Sequence, residues 1–279
     1  MFRGYKMKQL NQCDNIERSI SKKFRPTIWR PFIEGLKRYE LINAGDSIAV
    51  CISGGKDSML LAKLMQALHR FSDVPFDLRF IVMDPGYNEI NLQKIIANAS
   101  ILQIPIEIFK SNIFETVEKT HRSPCYLCAR MRRGFLYAHA QKLGCNKIAL
   151  GHHFSDVIET TLMNIFFNAH IGTMMPILKS KNFHGMELIR PMYCVNEEAI
   201  IAWVRYNGLQ FIRCACPLSE ACNVFDANGG SSRRMEVKTL IKQLKRTNKD
   251  VETSIFQSLH RVNIDTVLGV KQCESEEGL

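Results

Sequence analysis

The fold of this 279-residue chain is decided by the stretch Ser53-Gly54-Gly55-Lys56-Asp57-Ser58. It follows the apolar run Ile48–Ile52 and precedes the run Met59–Met65, so the pattern predicts a strand, a glycine turn and the start of a helix. Two glycines let a phosphate approach the backbone, and the free N–H groups of a helix start can donate to it. The two serines and the lysine add further donors. The stretch therefore predicts an anion-binding loop.

The loop differs from the Walker A sequence at two positions. Val50 stands where Walker A has glycine, and Asp57 stands where it has serine or threonine. A carboxylate repels phosphate unless a cation lies between them, so Asp57 predicts Mg²⁺ together with a nucleotide. The plain alternative is an ordinary strand-to-helix turn that is rich in small residues.

Strand and helix patterns alternate along the middle of the chain. The pattern predicts further strands at Phe76–Met83, Pro105–Phe109 and Lys147–Leu150, and helices at Ile90–Leu102 and Ala129–Leu143. This alternation is typical of an α/β fold with a doubly wound, mostly parallel sheet, which binds its ligand at the carboxyl ends of the strands. Ser53, Asp84 and Gly151-His152-His153 each follow a predicted strand, so we expect them at that edge.

Composition narrows the class of protein. Hydrophobic residues make up 46% of the chain, enough for one sizeable core. No apolar run reaches membrane-spanning length and residues 1–6 lack the apolar core of a signal peptide, which predicts a cytoplasmic protein without a membrane partner. Ten cysteines then favour metal or redox chemistry over disulfides. A net charge of +10 and a pI near 9.1 favour a polyanionic partner.

The charge is concentrated in two segments. Residues 1–40 hold ten basic and four acidic side chains, a net of +6. In the same segment, apolar residues recur at helical spacing, while Pro26 and Pro31 must break or restart the helix. The apolar positions are Ile16, Ile20, Phe24, Ile28, Phe32 and Leu36. A second basic segment, residues 233–249, has only Glu236 as an acid. Two such segments favour a large nucleic acid over a small metabolite.

A pair of cysteines, Cys125-Tyr126-Leu127-Cys128, forms a second motif. Such a pair at a helix start supplies thiolates for a metal, a persulfide or a thioredoxin-like exchange. A structural zinc site needs four ligands, and Cys214-Ala215-Cys216 is the only other close pair in the sequence. Three thiolates suit an iron–sulfur cube with one open iron, unlike the usual ligation by four cysteines.

Four motifs occur together in one order: Ser53–Ser58, Cys125–Cys128 leading into Arg130–Gly134, Gly151–Asp156, and Cys214–Pro217. In residues 30–225 the chain resembles the tRNA 2-thiocytidine synthetases, the TtcA-type sulfurtransferases among the PP-loop ATPases. The resemblance implies an adenine nucleotide alpha hydrolase-like fold. It also implies ATP-dependent exchange of oxygen for sulfur at C2 of an anticodon-loop cytidine, position 32 of the tRNA. ATP, Mg²⁺ and a 4Fe-4S cluster on three cysteines are the implied cofactors.

The resemblance also assigns roles to residues. The implied ATP site consists of Ile52, Ser53, Gly54, Gly55, Lys56, Asp57, Ser58, Met83, Gly151 and His152. Asp57, Asp156 and Arg132 are the catalytic candidates, the two aspartates as Mg²⁺ ligands and the arginine as a stabiliser of the adenylate or a phosphate contact for tRNA. The implied cluster ligands are Cys125, Cys128 and Cys216, with Cys214 as the alternative third. The predicted tRNA contacts are Lys22, Lys23, Arg25, Arg130, Arg133, Arg233 and Arg234.

The predicted domains are a basic helical segment at 1–44, a PP-loop ATPase domain with the cysteine site at 45–222, and a basic helical segment with an acidic tail at 223–279. Expected partners are tRNA, a sulfur donor (a cysteine desulfurase or sulfide) and a second copy in a homodimer.

Two departures from the family pattern stand out. Ser155 precedes Asp156 where the family commonly has two aspartates, and one residue separates Cys214 from Cys216 where the family often has two. Rival activities are a tRNA 2-thiouridine synthetase and a lysidine-type ligase or amidotransferase; a non-catalytic RNA-binding protein is a third reading. His152 and His153 are open to packing or catalytic roles.

Overall fold

Six strands form one sheet in the computed structural model of the protein, which describes residues 11–111, 113, 124–212 and 230–270. The strands are β1 (Ser47–Ile52), β2 (Asp77–Asp84), β3 (Ile106–Lys110), β4 (Lys147–Ala149), β5 (Ile177–Lys179) and β6 (Glu187–Ile189). Their order is β3-β2-β1-β4-β6-β5. Every pair is parallel except β5 with β6. The predicted doubly wound, mostly parallel sheet is confirmed.

Helices cover the sheet and extend from both ends of the described chain. They are α1 (Gln12–Ser21), a π-helical turn (Arg25–Trp29), α2 (Arg30–Arg38), α3 (Lys56–Phe71), α4 (Glu89–Ile101), α5 (Pro124–Lys142), α6 (Phe154–Asn168), α7 (Glu197–Tyr206), α8 (Gly230–Thr247), α9 (Val251–Ser258) and a 3₁₀ turn (Ile264–Thr266). The side chains of Asn88 and Asn196 cap α4 and α7 by accepting backbone N–H groups. None of the described helices combines the length and apolarity needed to cross a bilayer.

The predicted elements are confirmed within a few residues, except that helix α5 begins at Pro124, five residues before its predicted start. Helices α6 and α7 were not predicted. Strands β5 and β6 were not predicted either, because neither shows a clear period-two pattern.

The N-terminal segment packs into the same core as the sheet. Its six regularly spaced apolar residues are all buried, in one cluster with side chains of β1 and α3. Pro26 acts as predicted, since α1 ends at Ser21 and the π-helical turn begins at Arg25, whereas at Pro31 the predicted break is absent because the π-helical turn continues directly into α2. The domain limits at residues 44 and 222 stay predictions.

The strand order places the switch point of the sheet between β1 and β4. From β1 the chain continues to β2 and β3 on one side, whereas β4, β6 and β5 lie on the other. In such sheets the crevice for a ligand opens outside the carboxyl ends of the two strands at the switch point. The segments that follow β1, β4 and β6 therefore meet at one edge.

A buried ion pair fixes the opposite end of β4. Lys147 Nζ lies 2.8 Å from Asp46 Oδ2 and donates to the carbonyl of Leu41 at 3.0 Å. Asp46 also accepts from the backbone N–H of Asn43 and from the side chain of Asn146. Burial raises the pKa of Asp46, but these hydrogen bonds and the Lys147 charge outweigh it and hold the pKa below its usual value. The pair joins the segment before β1 to β4.

We predict that Asp46→Ala lowers the free energy of unfolding by about 3 kcal/mol, because the 2%-exposed Lys147 keeps a buried charge and loses its nearest partner. Urea unfolding monitored by circular dichroism measures the change. Asp73→Ala, at an exposed aspartate, is the control and should change stability by less than about 0.5 kcal/mol. Equal stability of the two variants would contradict the role of the pair.

Candidate active site at the carboxyl edge of the sheet

The predicted anion-binding loop lies directly between β1 and α3. Gly54 has φ +82°, and a Cβ there would lie 2.5 Å from Ile95 Cγ1 and 2.7 Å from Ile212 Cδ1. Only glycine satisfies both the dihedral angle and this contact. The Ser58 hydroxyl accepts from the backbone N–H of Ser53 at 3.1 Å and donates to the carbonyl of Gly55 at 3.0 Å. The loop is thus held in place by its own side chains.

A cavity of about 560 Å³ opens beside this loop. Of the predicted site residues, it is lined by Ile52, Ser53, Asp57, Ser58, Met83, Arg132, Arg133, Gly151, His152 and Asp156. Gly151 must be small, since a Cβ there would lie 3.1 Å from the backbone of Asp57 and Ser58. Among residues that were not predicted, Arg190 also lines it. The structure brings these predicted residues to one place, whereas Gly54, Gly55 and Lys56 of the predicted ATP site are not among the residues that line the cavity.

Two carboxylates that line this cavity differ in their hydrogen bonds. Asp57 Oδ2 accepts from Lys56 Nζ at 3.0 Å, while the buried Oδ1 has no hydrogen-bond partner among the described residues. Asp156 Oδ2 accepts from the backbone N–H of His153 at 3.1 Å. An unsatisfied carboxylate oxygen is costly unless a cation or donor reaches it. Asp57, with Asp156 nearby, therefore fits a Mg²⁺ ion that arrives with a nucleotide.

The two histidines after β4 have distinct environments. His153 Nδ1 accepts from the backbone N–H of Asp156 at 3.4 Å and so caps α6. This assigns the ring proton to Nε2, which lies 3.7 Å from Asp57 Oδ1. For His152, burial and then the positive charge of Arg190 lower the pKa to about 4, so the ring is neutral at pH 7. His153 is a capping residue, and His152 is a neutral wall of the cavity.

Ion pairs connect the loop to helix α8 in a series of contacts, here called the charge ring. The ion pairs run Asp57, Lys56, Glu197, Lys238, Glu159, Arg234 and Asp156. The His153 ring lies between the two aspartates and closes the circuit. Lys56 Nζ lies 3.1 Å from Glu197 Oε1, and Arg234 lies 3.3 Å from Asp156 Oδ1. Helix α8 thus supplies two cations to carboxylates around the loop.

The ring shifts the ionisation of its members. Burial raises the pKa of Glu197, but hydrogen bonds from Lys238 and Lys56 outweigh it and lower the pKa to about 2. Burial lowers the pKa of Lys56, while Asp57 and Glu197 outweigh it and raise the pKa. For Glu159, burial dominates and raises the pKa. Lys56 is therefore a fixed cation, shared between a loop carboxylate and α7.

The predicted tRNA contacts lie on three elements. Lys22, Lys23 and Arg25 are exposed between α1 and α2, and Arg130 and Arg133 are exposed on α5. Arg233 lies 5.1 Å over the ring of Phe167 on α6, and Arg234 belongs to the charge ring. Arg133 also lines the cavity. Their contacts with tRNA stay predictions.

The cysteine positions are described only in part. Cys125 and Cys128 are the second and fifth residues of α5. At 3.6 residues per turn, positions 125 and 128 share a helix face with Arg132 and Leu136, which line the cavity. Cys214 and Cys216 lie outside the described residues, within which no three His, Cys, Asp or Glu side chains are grouped to hold a metal.

Sequence reasoning missed Glu159, Glu197, Lys238 and Arg190 as members of this site. Glu159 follows Asp156 by three residues, a helical spacing that puts both on one face of α6. Glu197 and Lys238 gave no signal, because their partners are far away in sequence; Glu197 is 141 residues from Lys56. Arg190 follows the unpredicted strand β6.

Comparisons with known proteins identify the family. A profile of the PP-loop domain matches residues 20–219. A Geobacter metallireducens protein named tRNA-cytidine(32) 2-sulfurtransferase is 35% identical over 227 residues, which cover 80% of this chain and 85% of that protein. The chain belongs to the tRNA-cytidine(32) 2-sulfurtransferase family of PP-loop proteins. A Geobacter sulfurreducens protein of the same name is 34% identical over 80% of this chain and 85% of its own length.

A solved structure resembles the fold of this family member. It is described as the U34-tRNA thiolase NcsA from Methanococcus maripaludis with its 4Fe-4S cluster. The TM-score is 0.64 at 19% identity, with 84% of this chain and 79% of that chain covered. The predicted resemblance to TtcA-type sulfurtransferases and the PP-loop fold are therefore confirmed.

We predict that Glu197→Gln lowers the free energy of unfolding at pH 7 by about 2–3 kcal/mol. The pKa of Glu197 is about 2 in the folded protein and near 4.5 in the unfolded one, so its contribution is present above pH 4.5 and is lost as the pH falls from 4.5 toward 2. Chemical unfolding at several pH values should show the difference between wild type and variant shrinking as the solution becomes more acidic.

Glu198→Gln is the matched control, because Glu198 pairs with Lys245 of the same helix α8 but is 70% exposed. We expect that change to cost less than about 1 kcal/mol at any pH. A Glu197 variant whose deficit does not change with pH would contradict the inferred state of the charge ring.

Proposed function

We propose that this chain is an ATP-dependent tRNA sulfurtransferase that replaces O2 of cytidine 32 with sulfur. One observation carries the proposal: a single cavity is lined by the phosphate loop, by Asp57 with its unpartnered buried oxygen, and by Arg132, Arg133 and Leu136 of α5, the helix that also contains positions 125 and 128. Nucleotide activation and sulfur chemistry would then occur in one place. The named relatives, at 34–35% identity, support cytidine as the base.

In the first step the loop holds ATP. The backbone N–H groups at the start of α3, with Lys56 and Ser58, bind the pyrophosphate portion. Asp57 and Asp156 would hold Mg²⁺, which would offset the negative charge of the phosphates. Met83, the seventh of the eight residues of β2, lines the cavity, and the adenosine would lie on its side of the loop. Lys56 must then share its charge between Glu197 and a phosphate.

The chemistry proceeds by two displacements. A lone pair of the cytidine O2 attacks the α-phosphorus of ATP, the bond to the β-phosphate breaks, and pyrophosphate leaves. Sulfide then attacks C2, the C2–O2 bond breaks, and AMP leaves with the former base oxygen. Arg132 lines the cavity and would stabilise the negative charge that develops on the phosphate. Because the His152 ring is neutral, it does not protonate the cytidine, whose O2 must act as the nucleophile.

The proposed cluster ligands are Cys125, Cys128 and Cys216, with Cys214 as the alternative third. When bound, a 4Fe-4S cluster with three protein ligands supplies one iron on which a sulfur atom can be held. The start of α5 presents backbone N–H groups that favour thiolates at positions 125 and 128. A lysidine-type or amide-forming reaction would need none of these cysteines, and a uridine substrate is not favoured by the names of the relatives.

Single substitutions separate the two parts of this site. We predict that Cys125→Ala, Cys128→Ala and Cys216→Ala each lose iron and labile sulfide after anaerobic purification and each lose 2-thiocytidine formation, because two protein ligands hold a cube poorly. Cys214→Ala should keep both properties. Metal analysis and mass spectrometry of tRNA nucleosides provide the measurements.

Two controls complete that experiment. Cys145→Ala, at a buried core cysteine, should keep the cluster and the activity. Asp57→Ala should keep the cluster and lose pyrophosphate release. If Cys125→Ala or Cys128→Ala retains both cluster and thiolation, the cluster mechanism is wrong; exchanged results for Cys214 and Cys216 would change only the third ligand.

The N-terminal basic segment is the proposed tRNA contact of the first domain. Lys22, Lys23 and Arg25 are exposed where the chain passes from α1 to α2. Lys23 Nζ lies 3.7 Å from the centre of the Tyr206 ring, so its position is fixed against α7. Phosphates that meet such cations release counterions, which makes binding salt-dependent.

We predict that replacing Lys22, Lys23 and Arg25 by Gln weakens tRNA binding and flattens the plot of log K against log salt by roughly two units. Filter binding at several salt concentrations measures both. Replacement of Arg79, Lys179 and Lys181, three exposed cations elsewhere, is the control. An effect as large in the control would mean that net charge, and not this surface, determines affinity.

The remaining partners rest on the family resemblance. We propose a cysteine desulfurase or free sulfide as sulfur donor, a homodimer as the assembly, and the cytoplasm as the location. The sulfur donor supplies the sulfide of the second step, whereas the homodimer and the location are not needed for the cavity chemistry described above.

A further inference from the structure

Arg190 is a buried cation in the wall of the cavity. It follows β6, and its side chain is part of a residue that is only 7% exposed. Its backbone N–H donates to Pro176 and its Nη1 donates to the carbonyl of Met175, so the segment before β5 fixes the guanidinium. Within the described residues, the guanidinium makes that one hydrogen bond, and its buried Nε has no partner.

No carboxylate of the described residues forms an ion pair with Arg190, although Asp156 lines the same cavity. Burial lowers the pKa of Arg190 to about 10, with a further contribution from Arg133, so the side chain is still charged at pH 7. A buried charge without a counter-ion is expensive, whereas an anionic ligand can remove most of that cost. Within the described residues, the cavity wall therefore holds a charged donor that can bind an anion.

The sheet order indicates which part of the ligand reaches Arg190. Neighbouring strands are about 4.8 Å apart, so Arg190 directly after β6 and Met83 near the end of β2 lie on opposite sides of the loop after β1. The loop and Lys56 already serve the pyrophosphate. If the adenosine lies toward Met83, the attacking base comes from the Arg190 side. The α-phosphate is bonded to the adenosine and receives the new bond from the base, so it lies between the two.

We propose that Arg190 is an anion-binding residue of this site whose guanidinium donates to the α-phosphate, first in ATP and then in the adenylated cytidine. The second half of this statement rests on the proposed function; the first half needs only a nucleotide. Arg190 would hold the phosphate that remains as AMP, while the loop holds the pyrophosphate that leaves. Arg190 would thus hold the phosphate on one side of the breaking bond, and the loop with Lys56 would hold the two phosphates on the other side.

The test uses the full chain with Mg²⁺ and no tRNA, and measures the binding of AMP and of pyrophosphate by calorimetry. Arg190→Met should weaken AMP about tenfold or more and change pyrophosphate less than about twofold, since a charged hydrogen bond is lost at one phosphate only. Lys56→Met should show the reverse pattern. Arg79→Met, at an exposed arginine, should change neither affinity.

Unchanged AMP affinity in folded Arg190→Met, or equal weakening of both ligands, would overturn the assignment. Weakened tRNA binding with unchanged AMP would mean that Arg190 contacts the base, which also overturns it. If the Met variant does not fold, Arg190→Lys decides with the two diastereomers of ATP that carry sulfur on the α-phosphate: a reduced preference between them supports the contact, and the wild-type preference contradicts it. Absence of 2-thiocytidine formation by the wild-type protein would sink the proposed function and leave these binding results standing.

Discussion

The charge ring is the interaction on which the geometry of this site depends. Carboxylates that face a partly enclosed cavity repel one another unless cations are fixed beside them. Here two of those cations, Arg234 and Lys238, come from α8, beyond the end of the matched PP-loop region at residue 219. The PP-loop region of this chain therefore relies on a helix outside it for the electrostatic state of its own loop.

The two terminal segments have different roles, although both are basic. Residues of α1 and α2 contribute large apolar side chains to the core shared with β1 and α3, and their charged side chains remain outside. Helix α8 instead turns cations inward, toward Glu159, Glu197 and Asp156. Removal of the first segment would expose apolar surface, whereas removal of the second would leave like charges unpaired.

Local patterns predicted most of the fold and the centre of the site. The strand, glycine turn and helix around residues 48–65 are consecutive, so the sequence alone identifies them as an anion-binding loop. The residues Gly151 to Asp156 are also consecutive and were recognised in the same way. Strands β5 and β6 show no clear period-two pattern, although the equally short β4 was predicted, and Arg190 was missed with β6. The charge ring was missed for another reason. It joins α3, α6, α7 and α8, and pairings between distant segments depend on tertiary packing that no local pattern encodes.

The contact between Gly54 and Ile212 has an evolutionary consequence. A side chain at position 54 would be strained by φ +82° and would collide with Ile95 and Ile212. The size of each isoleucine, in contrast, is limited by the space that the other one occupies. Smaller residues at 95 and 212 would relieve the collision but leave the dihedral angle unchanged. Among homologues the two apolar positions are thus free to exchange volume in compensating pairs, while position 54 has no compensating partner. Covariation at this contact should link residues 95 and 212 and leave the glycine invariant.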